Sequence, residues 1–146
     1  PLFCLRGGAV GGSLPAMFDL VVFPPQTWSQ GLQVLFALAI GHALADFPLQ
    51  GEFLAMCKNR RHLIRLKDPN LPPEMWVVCM TAHCLIHSGM VWVITGSSLL
   101  GAVEFVIHWG LDLAKCEGRT GFTTDQCLHI ACKAVYVVAG MTFLAG

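Results

Sequence analysis

The chain has 146 residues, of which 55% are hydrophobic and only 12% charged, with nine basic and nine acidic residues that cancel. That length suits one domain, and the charged fraction is about half of the roughly 25% found in soluble domains. The balance excludes a generally basic, nucleic-acid-binding surface, and so apolar a chain has too little polar surface to cover a water-soluble core.

Residues 1–27 read as an N-terminal entry segment, flexible or surface-lying, that leads into the first helix. It holds no good secretory signal, because Asp19 interrupts its apolar run and Pro24-Pro25 ends it. The pairs Gly7-Gly8 and Gly11-Gly12 do not form a dinucleotide fingerprint, since no strand precedes them.

Residues 28–146 are expected to form a four-helix transmembrane domain. A spanning helix needs about 20 mainly apolar residues, and the segments 28–49, 74–95, 97–114 and 124–144 meet that length with polar interruptions. Pro48 should kink or end the first. Pro72-Pro73 introduce the second, and Thr95-Gly96-Ser97-Ser98 makes a tight turn to the third. Lys58, Arg60, Arg61, Arg65 and Lys67 fall between the first two segments, and Lys115 and Arg119 between the last two. On the opposite side only Arg6 is basic. The positive-inside rule then places both charged connections in the cytoplasm and both termini on the non-cytoplasmic side. The run 58–67 reads as this topology signal and as a contact for anionic lipid head groups. The seven cysteines are odd in number and form no CxxC, which argues against a disulfide framework. The fold class expected is an all-α polytopic membrane bundle.

The polar residues inside these segments are spaced one helical turn apart: His42/Asp46, His83/His87, Glu104/His108/Asp112 and Asp125/His129. Residues four apart share one face of a helix. Ionisable groups inside apolar helices face a partner or a site rather than lipid. With helices alternating in direction, the four sets fall at a similar depth on the cytoplasmic side; His83 lies about 13 Å along its helix at 1.5 Å per residue. Imidazoles and carboxylates ligate zinc, iron or manganese, and helix bundles build such sites from inward-facing residues. The candidate ligands are His42, Asp46, His83, His87, His108, Asp112, Asp125 and His129, with Glu104 a turn further out. Asp46, Asp112 and Asp125 are the candidate general bases. The alternative for the set is a hydrogen-bonded network that only holds the helices together. Gln50, Gln126 and Lys115 flank the set. Lys115 is expected to snorkel to the interface, and Lys133 to pair with an acid inside the fourth helix.

The string HALADFPLQ at 42–50, followed by Lys58-Asn59, resembles the HxxxDFxxQ signature of an uncharacterised bacterial integral-membrane family, a domain of unknown function. HWGLDLAK at 108–115, Phe122 and DQCLH at 125–129 are similar to its HxxxDxxK…F…DQxxH stretch. The resemblance covers about 31–138. It implies a bacterial or phage-like origin and a polytopic fold and supplies no reaction; the localisation expected is the bacterial inner (cytoplasmic) membrane, multi-pass.

Two functions are expected from the residues. One is a metal-dependent hydrolase acting on a lipid or lipid-linked substrate, with a metal-acidified water and membrane lipids as its partners. The motifs HExxH and GxSxG are both absent, so neither protease nor serine-hydrolase chemistry is indicated. The other is a non-catalytic accessory subunit of a larger bacterial membrane complex, packed against other membrane proteins around a structural polar or metal core. Ion transport along the ladder would need polar groups on the outer side, where 90–94 and 135–144 are mainly apolar.

Overall fold

Thr27 starts the first helix through a reciprocal cap. Its hydroxyl accepts from the Gln30 backbone N–H at 3.2 Å, while the Gln30 side-chain oxygen accepts from Thr27 N–H at 3.1 Å. Two orphan donors are thereby satisfied, as helix N-termini require. The helix, α1 (Trp28–Asp46), stops two residues before Pro48, whose missing N–H cannot continue it. The computed structural model describes residues 21–66 and 70–144, with the side chains of 143 and 144 excepted. The glycine-rich part of the N-terminal segment, with Arg6 and Asp19, and the basic residue Lys67 lie outside the described residues.

Five further α-helices follow: α2 (Gly51–Cys57), α3 (Arg60–Leu66), α4 (Met75–Thr95), α5 (Ser98–Cys116) and α6 (Phe122–Ala139), the last continued by a π-helical turn, Gly140–Leu144. There is no strand among the described residues, so the all-α expectation holds. The connection expected as a plain basic stretch is instead the helical pair α2–α3. Cys57, Leu63 and Cys79 bury together there, with Leu54, Met75 and Trp76 packed against them, and this fixes the pair to the start of α4.

The four long helices form a ring in the order α1, α4, α5, α6. Neighbours run antiparallel. Ser88 of α4 meets Gly101 of α5 while His83 meets His108. Gly41 of α1 meets Ile94 of α4 while Asp46 meets His87. On the other side Glu104 meets Lys133 while Asp112 and Lys115 face the start of α6. Two close crossings depend on glycine. A Cβ on Gly101 would lie 3.1 Å from the Ser88 carbonyl oxygen, and one on Gly41 2.8 Å from Ile94 Cδ1. Small residues of this kind let helix backbones approach within reach of short polar side chains.

The interior is layered along the ring axis. Val34, Leu38, Val91, Tyr136 and Val137 form an apolar plug towards one end. The next layer is polar, and Met80, Cys84 and Cys116 pack beside it. Outward, the helices are apolar. Leu32, Phe36, Ile40 and Leu44 make an exposed stripe on α1, each one turn from the next, 67%, 69%, 46% and 43% accessible. Leu85, Trp92 and Val93 on α4, Leu99 and Val106 on α5, and Val135 and Val138 on α6 are likewise exposed. Among the described residues, α4 alone is long and apolar enough to cross a membrane; α1 and α2 reach that standard only as a pair bent by 83°. α5 and α6 fall short of four-span expectations because Glu104, His108, Asp112 and Lys115, and Asp125, Gln126, His129 and Lys133, dilute them.

Candidate metal centre

The polar layer is assembled from all four long helices. α1 supplies His42 and Asp46, α4 His83 and His87, α5 Glu104, His108 and Asp112, and α6 Asp125 and His129. All are buried except Asp46, whose side chain is 9% exposed. Helical spacing explains the convergence, because each set occupies consecutive turns on the inward face. Glu104, expected a turn further out, is fully buried and in contact with the rest.

Three groups of side chains offer ligand atoms that lie within 4.8 Å of one another: Asp46/His83/His87/His108, His42/His108/His129 and Asp112/Asp125/His129. In the first group His87 Nε2 is 3.2 Å and His83 Nε2 3.5 Å from Asp46 Oδ1, and the Nε2 atoms of His83 and His108 are 3.2 Å apart. Two ligands about 2.0–2.1 Å from a tetrahedral ion stand about 3.3 Å apart, so these separations are those of a coordination edge. In the third group His129 Nε2 stands 3.6 Å from Asp112 Oδ1 and 3.5 Å from Asp125 Oδ1. All three atoms are buried and have no hydrogen-bond partner among the described residues, the Lys115 ammonium standing 3.2 Å from Asp112 Oδ1 as an ion pair only. Orphaned acceptors in an interior are rare and costly, and they mark a place where a cation or water belongs. The buried His/Asp groups can thus hold a metal ion.

Imidazole orientation is set by further contacts. Glu104 Oε1 lies 3.2 Å from His108 Nδ1, leaving the other ring nitrogen to face the cluster. His87 stacks on His108 with centroids 3.6 Å apart, and His108 on His129 at 4.1 Å. Gln126 spans two ligands of α1, donating from Nε2 to Asp46 Oδ2 at 2.8 Å while its oxygen lies 3.1 Å from His42 Nε2.

Three lysines enter the layer. Lys133 donates to Glu104 Oε1, and Tyr136 donates to Oε2 of the same carboxylate at 2.8 Å. Lys115 does not snorkel outward: it donates to Asp125 at 2.6 Å and sits 3.2 Å from Asp112. Lys58, expected within the lipid-facing basic run, is 5% exposed and donates to Asp112 at 2.5 Å and to Gln50 at 2.7 Å. The bend between α1 and α2 turns this residue back over the ring. Lys58 and Tyr136 were absent from the sequence-based candidates. Tyr136 had one usable signal, its position three residues after Lys133 on the same face; Lys58 had none, its partner being 54 residues away.

With neutral imidazoles, four carboxylates (Asp46, Glu104, Asp112, Asp125) face three ammonium groups, leaving one net negative charge in the layer. An uncompensated charge in apolar surroundings is costly. Outside the layer, Arg60 and Arg61 of α3 both bind Glu117 beyond the end of α5, at 2.8 and 3.1 Å, joining the two connections at one end of the ring. Desolvation opposes the Glu117 charge, but the hydrogen bond from Arg60 and the charges of both arginines together outweigh it and hold its carboxyl below the usual range.

Neither a curated protein nor a solved structure matches the chain. Residues 34–145, which include every residue of the polar layer, match a family described as "Protein of unknown function (DUF3307)". The chain belongs to this DUF3307 family, whose function is unknown.

Proposed function

We propose that this chain is a multi-pass protein of the bacterial inner membrane, that its polar layer binds a divalent transition metal (zinc, iron or manganese), and that the centre hydrolyses a lipid or lipid-linked substrate. The observation that carries the reading is the triplet Asp112 Oδ1, Asp125 Oδ1 and His129 Nε2, buried, mutually facing and without hydrogen bonds. It lies beside a second ligand group at coordination-edge spacing. The membrane part rests on a buried polar layer inside the ring together with exposed apolar stripes on all four long helices. In water, such exposed apolar stripes would drive association; in a bilayer they face lipid, and the polar layer is where intramembrane ionisable groups belong. Bacterial origin rests on the sequence resemblance alone.

The proposed four spans, with both termini non-cytoplasmic, are supported by the antiparallel ring and by the charges gathered at one end. A divalent ion with an open position supplies an acidified water. Of the three carboxylates expected as bases, Asp46 suits the role best, because Asp112 and Asp125 are held by lysines while Asp46 reaches the surface. The test is lipid turnover by metal-loaded protein in vesicles of bacterial lipid, followed by mass spectrometry. Breakdown that disappears in Asp46→Asn supports the reading; breakdown no greater than in protein-free vesicles contradicts it.

A second reading is an accessory subunit of a larger membrane assembly, with other membrane proteins as its partners. It is favoured by the lysine pairs on Glu104, Asp112 and Asp125, which make the layer nearly self-sufficient as a structural core. Fixed-stoichiometry co-purification with other membrane proteins, without lipid turnover, would select it.

A further inference from the structure

The polar layer opens at the end where the two connections meet. A cavity of about 330 Å³ lies there, walled by Asp46, Gln50, Lys58, Lys115 and Phe122, with Ala55 of α2 on one side. Asp46 links it directly to the ligand group, since the same carboxylate contacts His83 and His87. At its mouth Phe47 and Phe122 are 65% and 63% exposed, so a polar interior is entered over an apolar lip.

We propose that this cavity binds the monoanionic phosphate of a phosphodiester, with Lys58 and Lys115 as its cationic wall. The inference rests on the metal reading and specifies the substrate class. The charge count leads to it. The layer carries one net negative charge with neutral imidazoles, and one divalent cation turns that into one net positive charge. A single monoanion restores neutrality, which a buried layer strongly favours. The free donors have the matching arrangement. Each ammonium carries three N–H groups. Lys58 uses two, on Gln50 and Asp112, while Lys115 donates one to Asp125 and has Asp112 3.2 Å away as an ion-pair partner. At least one donor remains on each, and a phosphodiester presents two unesterified oxygens to receive them. Phe47 and Phe122 at the mouth suit a diester whose substituents are apolar.

Phosphodiesters occur as lipid head groups and as soluble molecules, and two probes separate these sources. Binding of dihexanoylphosphatidylglycerol and of dimethyl phosphate is measured by calorimetry on the full, metal-loaded chain in non-ionic detergent, with metal content determined on the same samples. Ala55→Phe fills the cavity without replacing a ligand, and Lys115→Gln removes one ammonium group. Each should weaken diester binding by at least about tenfold, the scale of one charge-assisted hydrogen bond, and Ala55→Phe should keep its full metal content. Tighter binding of the lipid than of dimethyl phosphate assigns the site to a head group, and equal binding assigns it to a soluble diester; both support the cavity. Metal-loaded protein that binds neither probe, or binding that both variants retain, overturns the inference and leaves the metal reading standing. Wild-type protein without metal overturns the metal reading, and the charge count of this inference with it.

Discussion

Glu104 Oε1 lies 3.2 Å from His108 Nδ1, and the Nε2 of that same imidazole lies 3.2 Å from His83 Nε2. A carboxylate on one ring nitrogen fixes the tautomer and raises the basicity of the other, the usual support for a metal-bound histidine. Glu104→Gln should therefore reduce metal affinity by about 10–100-fold while the helical fold persists. Titration of metal-free protein with zinc, with circular dichroism run in parallel, checks both parts.

The partner of that carboxylate makes a separate prediction. Lys133 is 1% exposed, and among the described residues its only acid contact is Glu104. Lys133→Met leaves a buried carboxylate facing His108 and Tyr136 alone, a loss of about 3–5 kcal/mol for breaking one side of a buried pair. Adding Glu104→Gln should recover much of it, since neither charge then remains. Thermal unfolding of both variants in one detergent provides the comparison, and equal melting temperatures would show that the pair is not coupled.

Most of this layer was legible because an α-helix converts sequence spacing into a face. His42/Asp46, His83/His87, Glu104/His108/Asp112 and Asp125/His129 needed only the four-residue repeat to be placed inward together. The pair α2–α3 was not legible. Its two helices have seven residues each and mix Glu52, Arg60, Arg61 and Arg65 with Phe53, Met56, Ile64 and Leu66, so tertiary packing on α4 rather than local pattern fixes them. Lys58 sat in a basic run, where charge predicted exposure; the fold reverses that because Asp112 waits across the ring. The expectation of four spans rested on length with polar interruptions, and the site lowers the apolar content of α5 and α6 below the standard that α4 meets.

The membrane reading predicts a sidedness. A reporter active only outside the cytoplasm should be active when inserted at the Gly96–Ser97 turn and inactive when inserted after Arg119, since the positive-inside rule puts the basic connections inwards. Activity at both positions, or at neither, would contradict four alternating spans.

Binding to the native state alone stabilises it by mass action, about 4 kcal/mol at a ligand concentration 1,000 times its dissociation constant. Stripping the protein with a chelator should therefore lower its melting temperature, and stoichiometric zinc should restore it. The Asp112→Asn/His129→Ala variant, which neutralises one member of the orphaned triplet and removes another, should show a smaller shift than wild type. An unchanged melting temperature after complete stripping would assign the layer to hydrogen bonding instead.

The most direct measurement is elemental analysis of the purified full chain by mass spectrometry, beside His83→Ala and His108→Ala, which remove the 3.2 Å nitrogen–nitrogen edge. The account predicts a stoichiometric divalent transition metal in the wild type and its loss from both variants while they remain helical. A folded wild-type protein that carries no such metal, and takes none up when it is supplied, would contradict it.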